Sequence, residues 1–176
     1  MRWSDFEYKG KVYSLSHLHP FACAYPHPSG DGTFCNVLVR FSMHCFTRSS
    51  LDGEIYDNNL EYEDNREKRV FDFYRHELSF NLPDAIKELN SKKCFHTNKG
   101  NFFTVELVDN GGGVVEYEIF FDIHKVKKGN NGLALQIQTA FVRSNDYKTS
   151  MPKKRNIKLK VIIGKRLMNK KITAQK

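Results

Sequence analysis

Apolar and polar residues alternate along VLVRFSMHCFTR, residues 37–48. In an extended chain Val37, Val39, Phe41, Met43 and Cys45 fall on one face, and Leu38, Arg40, Ser42, His44, Phe46 and Arg48 on the other. A strand is predicted over Asn36–Thr47. Val39, Phe41 and Met43 should face the core, and Arg40, Ser42 and His44 a cleft. Each apolar side chain gains roughly 1.5–3 kcal/mol when fully buried, whereas an unpaired buried Arg40 would cost several kcal/mol. A one-residue slip would exchange the two faces, so this inequality sets the register.

The same alternation predicts a strand over Val12–His19, with Tyr13, Leu15, His17 and His19 on one face. Between the two, HPFACAYPHPSGDGTF carries three prolines and two glycines and reads as a loop or irregular hairpin connection. Ser49–Arg66 is polar and acidic, a surface loop. Arg69–Leu78 fits either a helix or a short strand. Leu82–Lys92 (LPDAIKELNSK) is the clearest helix: Pro83 suits a first turn, Asp84 the positive end of the dipole, and Leu82, Ile86 and Leu89 share a face.

The C-terminal half reads as strands. FFTVELV (102–108), VVEYEIFFDIHKV (114–126) and LALQIQTAFVR (133–143) are separated by the turn signals DNGGG and KKGNNG, an antiparallel meander that IKLKVIIG (157–164) joins. In the second of these, Val115, Tyr117, Ile119, Phe121 and Ile123 form a candidate core face. The predicted architecture is α+β: an antiparallel four-stranded sheet preceded by a helix, with an N-terminal β-hairpin extension. A single domain is expected over 1–176, with the hairpin region in 1–50, the acidic loop in 51–68, and the helix, sheet and basic C-terminal end in 69–176.

Charge sharpens this picture. The net charge is +8, yet Lys148–Lys176 holds 11 basic and no acidic residues, leaving 17 basic against 20 acidic for the rest. Residues 52–67 hold seven acids and one arginine. Such polarity points to an anionic partner at the C-terminal end, nucleic acid first, with RNA favoured. No run of 18 apolar residues exists, so no membrane partner is expected, and MRWSDFEYKGK lacks the apolar core of an export signal, which suggests the cytoplasm. Cys23, Cys35, Cys45 and Cys94 form no CxxC pair and are expected to be reduced thiols.

Candidate chemistry follows from the faces. If the two N-terminal strands pair, His17, His19, His44, Arg40, Arg48, Ser42 and Tyr13 converge. Histidine suits both proton transfers of metal-free RNA cleavage, and arginine matches phosphate oxygens. The candidate catalytic residues are His44, His17 and His19 as acid and base, with Arg40 and Arg143 as phosphate clamps. Arg48, Lys153, Lys154, Arg155, Lys158 and Lys160 are candidate nucleic-acid contacts, Lys158 and Lys160 forming a stripe on the last strand. No cofactor and no metal are expected. The pairs His17/His19, His44/Cys45 and Cys94/His96 lack the paired spacing of structural zinc sites. Glu106, Glu116, Glu118, Asp122 and His124 read as the charged face of a wet sheet rather than a metal cage.

A helix leading into a four-stranded antiparallel sheet with a basic end resembles the RelE, barnase and colicin type of small endoribonuclease fold over residues 82–164, in topology and charge. The blocks RVFDFYRHELSFNLPDAIKEL, GNFFTVEL, EYEIFFDI and LQIQTAFVR are similar to small bacterial proteins labelled stationary-phase growth-adaptation or heat-shock protein. The first resemblance implies a small metal-independent endoribonuclease, a growth-inhibiting toxin or stress effector with an acidic antitoxin as partner. The alternative is a non-catalytic nucleic-acid-binding regulator.

Overall fold

The long N-terminal strand does form, but it stops at Phe41. The computed structural model describes residues 2–97, 100–109, 111, 113–126, 132–143 and 155–172. Its element order begins with strands β1 (Phe6–Tyr8), β2 (Lys11–Tyr13), β3 (Phe21–Pro26) and β4 (Phe34–Phe41). Val37, Val39 and Phe41 are buried and Arg40 is exposed, as the alternation requires. Ser42 then ends the strand: its hydroxyl accepts from the His44 amide at 3.0 Å and caps a single 3-10 turn, Met43–Cys45, in which Met43 is buried.

The partner of β4 is not the Val12–His19 segment. That stretch splits into β2, which pairs with β1 around Lys9 and Gly10, both at positive φ, and a 3-10 turn at Ser16–Leu18. The proline-rich connection supplies β3 instead, antiparallel to β4 with Phe21 opposite Val39 and Pro26 opposite Phe34. Because β3 is an edge strand, Pro26 removes no needed ladder bond.

The remaining strands are β5 (Thr47–Arg48), β6 (Glu61–Glu63), β7 (Lys68–Phe71), β8 (Cys94–His96), β9 (Phe102–Asp109), β10 (Val114–Lys125), β11 (Leu133–Val142) and β12 (Arg155–Ile157); the helices are α1 (Phe73–Ser79), α2 (Leu82–Lys87) and α3 (Leu159–Leu167). The main sheet has seven strands in the order β12-β8-β9-β10-β11-β4-β3, and β4 lies parallel to β11. This corrects the expected four-stranded antiparallel sheet with a hairpin appended. The hairpin is part of the sheet because the apolar face of β4 shares one core with Leu133, Leu135 and Ile137 of β11 and with Tyr117, Ile119, Phe121 and Ile123 of β10, all buried.

Two further expectations are corrected. The acidic stretch is not a plain loop: β6 lies in a three-stranded sheet, β5-β7-β6, and its carboxylates are used internally, Glu54 by Arg48, Glu61 by Lys68 and Asp64 by the amides of Arg66 and Glu67. Residues 157–164 are not one strand. Ile157 ends β12, and Leu159, Ile162 and Ile163 are buried at helical spacing on α3. The predicted stripe of Lys158 and Lys160 is therefore a helix cap and its second residue. The Leu82–Lys92 helix is realised as α2 followed by a 3-10 turn at Leu89–Ser91.

Candidate functional site

Where β4 leaves β11, a cleft of about 610 Å³ opens, lined by Trp3, Arg40, Ser42, His44, Arg66, Glu67, Gln136, Gln138 and Thr139 among others. Its origin is a β-bulge. Between β10 and β11, Phe121 lies opposite Ile137 but Phe120 lies opposite Thr139, so Gln138 is an extra residue. The bulge inverts the alternation of β11: Leu133, Leu135 and Ile137 are buried before it, Ala140 after it. Thr139 thereby joins the wet face on which Arg40 and Gln136 already sit side by side. It also frees the Gln138 carbonyl, which accepts from the Ser42 hydroxyl at 2.7 Å, while the Ser42 amide bonds Ile137 O at 2.9 Å. Ser42 is thus a cap and a brace, with its hydroxyl fully used.

His44 is fixed through its main chain. Its carbonyl accepts from Arg75 Nη1 at 3.1 Å and from Thr139 Oγ1 at 3.4 Å. Its ring is about one-third exposed, and Nε2 lies 2.7 Å from Glu67 Oε1. The second Glu67 oxygen is 3.6 Å from Arg69 Nη1. A carboxylate on one ring nitrogen orients the imidazole, leaving Nδ1 with no partner among the described residues. Arg40, exposed on the adjoining wall, makes no ion pair among the described residues.

The other predicted site residues are elsewhere or engaged. His17 does not reach the cleft: its Nε2 is 2.7 Å from Ser79 Oγ and its ring stacks on Phe80 at 3.9 Å. Ser79 is wholly buried and donates to His76 O, so this pair is not a nucleophile and its base. His19 Nε2 pairs with the Trp3 carbonyl at 3.1 Å. Arg143 grips Glu118 with two bonds, of 3.0 and 2.7 Å. Arg48 grips Glu54 likewise and, with the Leu51 amide, holds that carboxyl at a pKa of about 2. Lys158 and Lys160 line a separate groove with Lys92 and Lys93, and Lys153 and Lys154 lie outside the described residues. Burial pushes the thiols of Cys45 and Cys94 up to about 12, which removes them as nucleophiles. Among the described residues no group of His, Cys, Asp and Glu could hold a metal.

The residues the sequence did not single out are Glu67, Arg66, Trp3, Gln138 and Thr139. Only the proximity of Glu67 to a strand would have flagged it, and its acidic neighbours masked that. Beside the cleft runs a row of rings, Phe141, Phe120, Phe103 and Phe95, with centroids 5.6, 5.3 and 5.1 Å apart. Phe120 is nearly parallel to both Phe141 and Phe103, so the rings turn their faces to one another instead of offering a stacking platform for bases.

Burial of His17 carries a prediction. Desolvation, with smaller contributions from His76 and His19, lowers its pKa to about 4. Below pH 6.5 the unfolded chain therefore takes up a proton that the folded one refuses until about pH 4, and stability falls across that window by at most about 1.4 kcal/mol per pH unit, less for the part of the ring that water reaches. Urea unfolding of wild type and His17→Phe at pH 7.0, 5.5 and 4.5 should show the wild type losing stability faster. A difference that stays constant with pH would refute this.

The model of the YjaZ family matches residues 5–167, and the chain therefore belongs to that family. No curated protein and no solved structure matches it.

Proposed function

We propose that this member of the YjaZ family is a metal-independent endoribonuclease whose reaction takes place in the cleft at the end of β4. The observation that carries the reading is the His44–Glu67 pair at 2.7 Å beside the exposed, uncommitted Arg40. Glu67 removes the proton of the ribose 2′-OH, and O2′ attacks phosphorus. The bond from phosphorus to O5′ breaks, and the leaving oxygen takes its proton from the His44 imidazolium. Arg40 balances the added charge on the phosphate oxygens, with Arg66 at the cleft rim. The products are a 2′,3′-cyclic phosphate and a free 5′-hydroxyl. The chemistry needs the 2′-OH, so the substrate is RNA and not DNA. His17, His19 and Arg143 have no part in it.

The test is direct. Purified protein incubated with single-stranded RNA in EDTA between pH 5 and 8 should produce fragments with cyclic-phosphate ends, and 2′-O-methyl RNA should stay whole. If the RNA also stays whole while a control ribonuclease cuts it, the chain is no ribonuclease. Salt-sensitive binding without cleavage would instead favour the non-catalytic regulator.

A further inference from the structure

The seven-stranded sheet ends in two outer strands that differ in charge. β12 carries Arg155 and runs into Lys158 and Lys160. At the other edge, β3 is FACAYP, a strand without a charged residue. Outer strands are normally blunted by lysine, proline or a bulge, and here the prolines, Pro20 and Pro26, stand only at the ends. The ladder shows which main-chain groups are left over. The His27 amide donates to Thr33 O at 2.8 Å, so the odd-numbered residues of β3 bond β4, and Ala22 and Ala24 turn their N–H and C=O groups outward. Both alanines are exposed, and β4 is the one strand paired with β3 among the described residues.

This edge is complementary to itself. When two β3 strands pair antiparallel about a two-fold axis, Ala22 lies opposite the partner's Ala24, and Ala24 opposite the partner's Ala22. Together these pairs exchange four N–H···O bonds, and Pro20 and Pro26, which have no N–H, end the ladder on both sides. The axis then passes through Cys23, whose Cα lies about 4.5 Å from that of the partner's Cys23. Phe21 and Cys23, half-buried at the rim of the core, are covered by the second copy. Charge favours a copy as the occupant. No like charges oppose each other along the strands, and Lys87, close enough to Cys23 to sense its charge, is held by Asp84 at 2.8 Å, so each copy brings a matched pair of opposite sign to the axis. We propose that β3 is a self-pairing edge through which two copies of this chain join their sheets into one. About six residues a side is well below the roughly 20–30 of a standard interface, so the dimer dissociates in the micromolar range. The edge is separate from the chemistry at His44 and pairs whether or not the chain cleaves RNA.

Sedimentation equilibrium of the full-length protein under reducing conditions, from about 1 to 500 μM, should show a reversible monomer–dimer equilibrium. Ala24→Pro removes two of the four bonds without touching the ladder to β4, and should weaken the dimer about tenfold or more while the circular dichroism spectrum stays unchanged. Ala24→Lys, which puts a charge on the edge, is the second variant should proline disturb the strand. Diamide, which takes up the two thiol hydrogens, should link Cys23 to the partner's Cys23 as a disulfide, since the spacing at the axis suits one and Cys35, Cys45 and Cys94 are buried. Cys23→Ser should give no cross-linked dimer. Three results overturn the proposal: a chain that stays monomeric at the highest concentration, a dimer as tight in both Ala24 variants as in wild type, or a dimer that diamide does not link through Cys23. The first of these leaves the edge to an extended peptide instead.

Discussion

Arg143→Ala should destabilise the protein by about 3–5 kcal/mol, the usual result of leaving a buried ion without its partner. Glu118 is 1% exposed, and Arg143 holds it through two hydrogen bonds while its guanidinium lies 5.6 Å from the Phe141 ring centre. Removing the arginine strands a carboxylate on a sheet strand with no route to water. Replacing both groups by neutral ones of similar size, Glu118→Gln with Arg143→Met, removes the ion as well as its partner and should recover most of the loss. Equilibrium denaturation of the wild type and these two variants decides this. A loss below about 1 kcal/mol for Arg143→Ala, combined with reduced RNA cleavage, would restore Arg143 to the phosphate-clamp role that its position at the end of an apolar stripe suggested.

Arg143 shows where sequence pattern stops informing. Alternation placed it at the strand end beside Phe141, which is right, but could not show that Glu118 stands across from Phe141 on β10. Patterns within one segment were legible where the segment is long and one face is fully covered. The burial of Tyr117, Ile119, Phe121 and Ile123 was such a case, as was that of Val37, Val39, Phe41 and Met43. Pairings between distant segments were not. The parallel contact of β4 with β11 joins residues about a hundred apart and leaves no local mark in either strand. The strand β3 escaped because FACAYP has small residues and a proline, and only Tyr25 in it is buried.

Two errors had a local cause. In KLKVIIG the lysines alternate with leucine and valine, which imitates a strand. Yet Leu159, Ile162 and Ile163 also lie at i, i+3 and i+4, and that spacing won because it points all three into the core, while Lys158 and Lys160 stay in water. The bulge at Gln138 was hidden because LALQIQTAFV alternates without interruption, and only the pairing with β10 shows the added residue. The cleft itself was half legible. Arg40, Ser42 and His44 were found from one strand, but the carboxylate that pairs with the His44 ring, Glu67, comes from a stretch in which Glu54, Glu61 and Asp64 bond neighbouring groups of the fold.

His44→Ala should reduce RNA cleavage by about 100-fold or more, the usual size of a lost acid–base group, while leaving the fold nearly intact. What anchors residue 44 is its main chain: the amide bonds Ser42 Oγ, and the carbonyl accepts from Arg75 and Thr139. Alanine keeps all of these. The ring contributes one partly exposed ion pair with Glu67, worth about 1 kcal/mol or less. Glu67→Gln, which keeps the shape and removes the base, should lower turnover by a comparable factor. The double variant should be little worse than either single one, because the two groups act on the same proton path. Arg40→Ala should instead weaken substrate binding and turnover together, and more at low salt than at high, where the charge of Arg40 is screened. Single-turnover cleavage and thermal unfolding of the same preparations separate these effects. If His44→Ala melts the protein and turnover per folded molecule is unchanged, the ring is a structural group and the cleft serves some other purpose.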